Sequence, residues 1–237
     1  MRTEVTYRDF FKFMSEEVSR YMGRREDLRF LTGHGRFTAD LVPDDALHAV
    51  FVRSAIARGH IRQIEVEAAR AARNIIAVLT ADDTARDNIS NMVWTGSPVR
   101  DDGLTGVESQ RPLLSGSVIR HLGEPICMIV AKTRQSALDA AELINISYET
   151  DQEVALTLGE LKGPLVWPES PDNIASLHVL GDKVAVEAAL DMSAHQVHFD
   201  FDISKVAACP IEMRSALGAI DENGRLCLTT SAQSPFA

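Results

Sequence analysis

Apolar and polar positions change rhythm several times along this chain, and each change marks an element. Phe10, Phe11, Met14, Val18 and Tyr21 fall near helical spacing, so an amphipathic helix is expected in residues 1–23. A tight turn follows at Gly33-His34-Gly35. ALHAVFVR (46–53) reads as a strand, and Ile61, Ile64 and Val66 suggest a second. EAARAAR suggests a brief helix and NIIAVLT (74–80) a buried strand. TADD (80–83) is a helix start, because Thr and Asp accept bonds from free backbone N–H groups. Residues 84–116 lack a period and hold Gly96, Pro98, Gly103, Gly106 and Pro112, which predicts a long surface excursion.

Regular structure returns with the strand EPICMIVA. The helix TRQSALDAAELI follows, with Ala137, Leu138, Ala141 and Ile144 on one face, and then the strand NISYE. Strand, helix, strand in that order predicts a sheet that is at least partly parallel. GPLVWPESPDN (163–173) holds three prolines and two acids and is the best linker candidate. Beyond it, DKVAVEAALDM reads as a helix. HQVHFDFDIS alternates, with Val197, Phe199, Phe201 and Ile203 on one face of a half-buried strand. SALGAID and RLCLTTS flank DENG (221–224), a hairpin signal because Asn-Gly tolerates positive φ.

Composition narrows the function classes. Apolar residues make up 45% of the 237, enough for a core. Asp and Glu number 34 against 24 Lys and Arg, and the charge of −10 argues against nucleic acid or an anionic membrane as partner. No apolar run is long enough to span a bilayer, and the first 22 residues lack a signal peptide's apolar core, so a cytoplasmic location is expected.

Candidate chemistry is sparse. Cys127, Cys209 and Cys227 form no CxxC pair, so neither a zinc site nor an iron–sulfur cradle is expected. Cys127 in PICMIVA and Cys227 in LCLTT are expected as small buried apolar residues. His195 and His198 would point to opposite faces of their strand and could not share a metal. His121 in RHLGEP is expected to be structural, with Gly123 and Pro125 shaping the backbone. Gly33-His34-Gly35 lacks the third glycine of a dinucleotide loop, and no GxSxG elbow surrounds Ser54, Ser115 or Ser117. The acid pairs Asp44-Asp45, Asp82-Asp83 and Asp101-Asp102 sit where capping or solvation is the default. From the residues alone, this is an acidic α/β protein with a second domain that looks cut short.

Four segments, in order, resemble one family. They are DLRFLTGHGRFTADL followed by ALHAVFVRS, then NIIAVLTADD, then IRHLGEPICMIVAKTRQSALDAAELINISYE, then PIEMRSALGAID with LTTSAQSPF. Together they resemble the amino-terminal part of the large, molybdopterin-binding subunit of the xanthine dehydrogenase, aldehyde oxidase and aerobic carbon monoxide dehydrogenase family. The resemblance implies an α+β fold: an extension over 1–23, an α/β hammerhead domain over 24–151, a linker over 152–173, and the opening strands of the molybdopterin-binding domain over 174–237. Gln233, in the LTTSAQSPF position, would face the cofactor. An amide suits that place because its NH₂ donates to an oxygen on the metal.

The resemblance also implies a molybdenum hydroxylase acting on an aldehyde, an N-heterocycle or carbon monoxide. It would use molybdopterin, often as the cytosine dinucleotide, with iron–sulfur clusters and FAD on partner chains. The family's GGGFG loop and its glutamate base fall outside these 237 residues. The expectation is therefore no catalytic or metal-ligating residue here, no activity for the chain alone, and a complementary molybdopterin-binding polypeptide or a homo-oligomer covering its open strands. A non-catalytic remnant, or an interaction or structural module of the family, is the alternative. RSAIARGHI, IEMRS and AQSPF depart from the family's RSPHAHARI, MEPRG and TQGPH.

Overall fold

The computed structural model describes residues 24, 26–92, 99–104, 106–108, 110–151, 163–201, 203–204 and 206–232. The helix expected in 1–23 lies outside them. The chain divides into two compact units, one of Asp44–Lys205 and one of Met1–Pro43 with Val206–Phe236.

The larger unit is built on β5 (Pro125–Ala131), whose residues are buried or half-buried along the whole strand. β1 (His48–Arg53) and β3 (Ile75–Leu79) flank it, both antiparallel. β1 runs in register from His48 against Ala131 to Val52 against Cys127. A second three-stranded sheet places β2 (Gly59–Glu65) between β4 (Val118–Ile119) and β6 (Asn145–Thr150), again antiparallel throughout.

The sequence order strand, helix, strand is present, since α4 (Arg134–Ala141) joins β5 to β6. Those two strands enter different sheets, so the expected parallel pairing does not form. A strand–helix–strand order fixes succession along the chain. The ladder partner is chosen by distant side chains that fit across the strands. NIIAVLT is likewise an edge strand with Ile76 exposed, not a strand buried on both sides.

α4 starts where Thr133 Oγ1 accepts from the Ser136 N–H at 3.1 Å. Its buried residues are Ala137 and Ala140, small enough to bring the helix close to the sheet. The core joins α4 and the short α2 (Glu67–Arg70) to β5 through Ala69, Val78, Ile126, Cys127, Ile129 and Ala131. α3 (Ala81–Arg86) begins at the expected TADD. Asp83 accepts from the Thr80 N–H at 2.8 Å and from its hydroxyl at 3.0 Å. Gly59 carries φ +151, and a Cβ there would lie 2.2 Å from the Glu149 carbonyl oxygen, so this crossing of β2 and β6 accepts only glycine.

The prolines of 163–173 lie in a bonded loop. Asn173 Oδ1 accepts from the Val166 N–H at 2.8 Å, and the Asn173 amide donates to the Pro164 carbonyl at 3.2 Å. α5 (Lys183–Asp191) follows, capped by Asp182, whose carboxylate accepts from the Ala185 N–H at 2.9 Å. HQVHFDFDIS is not the expected half-buried strand. Its described residues pair with no ladder, and Val197, Phe199, Phe201 and Ile203 are all exposed. Alternation proposes a strand, but an unpaired strand loses both its ladder bonds and its buried face.

In the smaller unit, α1 (Asp27–Leu31) ends at Gly33, φ +74. The His34 N–H reaches the Arg29 carbonyl at 2.8 Å and the Gly33 N–H reaches Phe30 at 3.1 Å. That pair of bonds is a helix stop, and it accounts for Gly33-His34-Gly35 as a turn. Thr38 donates from N–H and hydroxyl to Glu212 Oε1 at 3.1 and 3.2 Å. The expected hairpin is present as β7 (Ala216–Ile220) and β8 (Leu226–Thr230). Of its turn residues only Gly224 has positive φ, +78, because the loop is a three-residue turn closed by an Asp221 N–H to Arg225 carbonyl bond at 2.9 Å. Cys227 is exposed, contrary to the buried role expected of it, since nothing among the described residues covers its face of the hairpin.

Candidate functional site

One closely built polar group of the larger unit comes from RHLGEP. Gly123, φ +79, turns the chain, and its N–H donates to the Ser54 carbonyl at 3.0 Å. The Ser54 N–H donates to the Glu124 carbonyl at 2.8 Å, so the end of β1 is stitched to the turn. The Glu124 side chain is drawn inward and buried. One carboxylate oxygen accepts from the Ser115 hydroxyl at 2.5 Å and the other from the Arg120 N–H at 2.6 Å. A buried carboxylate is tolerable because both its oxygens are satisfied.

The Arg120 guanidinium lies 4.1 Å above the centre of the Trp167 ring. Its Nη1 is 3.9 Å from Glu124 and 3.4 Å from the Val118 carbonyl, and its buried Nε has no partner among the described residues. Beside it is a cavity of about 250 Å³. Arg58, His60, Arg120 and Asp151 form its polar rim, and Val118, Ile119, Leu165, Val166 and Pro168 its apolar wall. Arg58 is already paired with Asp151 at 2.6 Å. His121 is exposed, its Nδ1 3.0 Å from the Leu122 carbonyl, in keeping with a structural residue.

A second cluster centres on Arg100, in the stretch expected to be a long surface excursion. Arg100 has a side chain only 2% exposed. It donates to Asp102 at 2.5 and 3.0 Å, to Asp172 at 2.6 and 2.8 Å, and to the Ile174 carbonyl at 3.0 Å. Its hydrogen bonds hold the Asp172 carboxyl down at about 2 and lower that of Asp102. In return, Asp172 and then Asp102 raise the guanidinium above its ordinary value. The Leu177 N–H donates to the Val99 carbonyl, and Val179 donates to Asp101 Oδ2 at 2.6 Å, so residues 99–104 and 163–179 are tied together. Asp101 and Asp102 are therefore bonded acids of a clasp. Sequence reasoning missed Arg100 because its partner Asp172 is distant in the chain.

Asp83 is lowered by the Thr80 N–H, with Arg86 and Arg70 adding to the effect against the cost of burial. Cys127 is buried as expected, and burial pushes its thiol up to about 11. His195 and His198 share no strand, and His198 lies 3.3 Å from Asp200 at the surface. Among the described residues no three His, Cys, Asp or Glu come together as metal ligands. No helix among them is long and apolar enough to cross a membrane. Gln233, the one residue expected beside a cofactor, lies outside the described residues, three positions beyond the end of β8.

Residues 32–152 match the family model described as the a/b hammerhead domain of aldehyde oxidase and xanthine dehydrogenase. The large subunit of nicotine 6-hydroxylase from Paenarthrobacter nicotinovorans is 30% identical over 92% of this chain and 26% of its own length. The molybdenum-binding subunit of xanthine dehydrogenase from Escherichia coli O157:H7 is 26% identical over 86% of this chain and 27% of its own length. The crystal structure of quinoline 2-oxidoreductase from Pseudomonas putida 86 superposes with a TM-score of 0.70 at 33% identity, covering 89% of this chain and 26% of that one. The chain spans about a quarter of the length of the curated relatives it matches. With the hammerhead match spanning half its residues, this chain belongs to the aldehyde oxidase and xanthine dehydrogenase family.

Proposed function

We propose that this chain supplies the hammerhead domain and the opening strands of the cofactor domain to a molybdenum-dependent hydroxylase. The observation that carries the proposal is the hammerhead match over 32–152, extended by similarity along 92% of the chain to a hydroxylase large subunit. The cofactor is molybdopterin, in the cytosine dinucleotide form, and it supplies the redox chemistry when bound. Electrons leave through iron–sulfur clusters and FAD on partner chains. Among the described residues no three His, Cys, Asp or Glu come together as metal ligands, and no catalytic step is assigned to them. Gln233 would donate from its amide to the cofactor. The remainder of the cofactor domain would supply the base and the remaining cofactor contacts.

An N-heterocycle is the preferred substrate class. The two relatives above at 30% identity or more are named for nicotine and quinoline, both N-heterocycles. The bonded turn at Ser54, Gly123 and Glu124 and the Arg100 clasp keep the hammerhead rigid, which suits a scaffold against which partner chains pack.

The test is to purify the native assembly through a tag on this chain. Molybdenum, iron and flavin should co-purify, and the assembly should oxidise a quinoline or pyridine with oxygen taken from labelled water. Gln233→Ala should lower turnover while the assembly stays intact. An assembly without molybdenum overturns the proposal, and oxidation confined to aldehydes or carbon monoxide overturns the substrate class.

A further inference from the structure

We propose that residues 26–43 are a strap of the smaller unit, held by one latch between Thr38 and Glu212. The hammerhead match begins at residue 32, yet Met1–Pro43 group with Val206–Phe236 and not with the strands that start at β1. Thr38 is the one buried residue of 26–43, whereas Leu28, Leu31, Phe37 and Leu41 are exposed. Among the described residues, the only hydrogen bonds that leave 26–43 are the two that Thr38 donates to Glu212 Oε1, from its N–H and from its hydroxyl. Packing and bonding of the segment therefore meet at one residue.

Local chemistry explains why the acceptor comes from so far away. Thr38–Leu41 is a 3-10 turn, and the first N–H groups of a helical turn have no partner inside it. A Ser, Thr, Asp or Asn in front of the turn would ordinarily accept from one of them. Phe37 stands there, and its ring offers no acceptor. The nearby Asp40 carboxylate already accepts from the Phe37 N–H at 2.8 Å. Glu212, 174 residues further along the chain, fills the gap. A carboxylate suits the place, because its charge favours the positive end of the turn and one oxygen takes both donors. Glu212 lies just before β7, so the same bonds hold the entry to the hairpin. The latch uses no residue assigned to the cofactor and stands apart from the proposed hydroxylase reaction.

Such a latch makes two segments far apart in sequence loosen together. Amide exchange on full-length variants, read by mass spectrometry in peptides covering 36–41 and 211–220, tests this. Glu212→Ala should speed exchange in both peptides by at least about tenfold, because a bond to a charged acceptor is lost. Glu212→Gln keeps an acceptor oxygen and should stay within about threefold of the parent chain. Thr38→Val removes the hydroxyl alone and should fall between the two. Peptides covering 125–131 should exchange as in the parent in every variant, which shows that the larger unit still folds. Four results would each overturn the proposal: no change at 36–41 in Glu212→Ala, faster exchange at 36–41 with 211–220 unmoved, equal acceleration at 125–131, or Glu212→Gln loosening both segments as much as Glu212→Ala.

Discussion

The strand at 125–131 and the stretch at 195–204 each carry several large apolar side chains, yet the chain treats them in opposite ways. In β5, Ile126, Cys127, Ile129 and Ala131 are fully buried between two strands and a helix. In the later stretch Phe199 is 69% exposed and Phe201 84%, with their rings 6.0 Å apart in a stacked pair. Burying a large apolar side chain contributes roughly 1.5–3 kcal/mol, so the first region holds its unit together and the second leaves that energy unused. The difference lies in partners. β5 has β1, β3 and α4 within the chain, whereas no described residue forms a ladder with 195–204. Apolar patterning states a demand for burial, and a second surface must meet it. On the proposed function, that surface belongs to the rest of the large subunit.

The comparison breaks most sharply at Gly59. Gly59→Val drives a Cβ to 2.2 Å from the Glu149 carbonyl oxygen and should destabilise the larger unit by roughly 3 kcal/mol or more in urea unfolding. A loss under about 1 kcal/mol would mean that β2 and β6 do not cross as described. Next in size, Ile129→Ala should cost roughly 2–5 kcal/mol, while Phe201→Ala in the chain alone should change stability by no more than about 0.5 kcal/mol. Equal losses at the two positions would erase the contrast between the regions.

The Arg100 clasp sharpens the same contrast by pH. Asp172 is held at about 2 against an ordinary 3.8, so its contribution is fully present above pH 4 and disappears as pH falls from there through 2. Arg100→Met should remove that acid transition and speed proteolysis within 163–179. Unchanged cleavage there would show that the segment is held by other bonds. The smallest effect concerns thiols. Maleimide at neutral pH should label Cys209 and Cys227 in the isolated chain and leave Cys127 unmodified, because Cys127 is buried and its thiol is pushed up to about 11. Labelling of Cys127 at a similar rate would place β5 at the surface.

Local features were readable in the sequence where their causes are local. TADD, Thr133 and Asp182 start helices through bonds to N–H groups about three residues away. Gly224 closes its hairpin within five residues. Features that depend on distant partners were not readable. The antiparallel placement of β6 beside β2, the need for glycine at 59, and Arg100 between Asp102 and Asp172 all rest on contacts far apart in the chain. Of the candidate site, the importance of RHLGEP was visible through the family resemblance. The burial of Glu124 and the unbonded Arg120 Nε were not, because both depend on how Ser115 and Trp167 are brought to the turn.

Amide hydrogen exchange followed by mass spectrometry on the isolated chain tests the central contrast most directly. Peptides covering 125–131 should be the slowest to exchange, with protection near that of global unfolding. Peptides covering 195–201 should exchange at the rate of an unstructured chain, and should slow only when the rest of the cofactor domain is present. Protection at 195–201 in the chain alone equal to that of β5 would contradict the account.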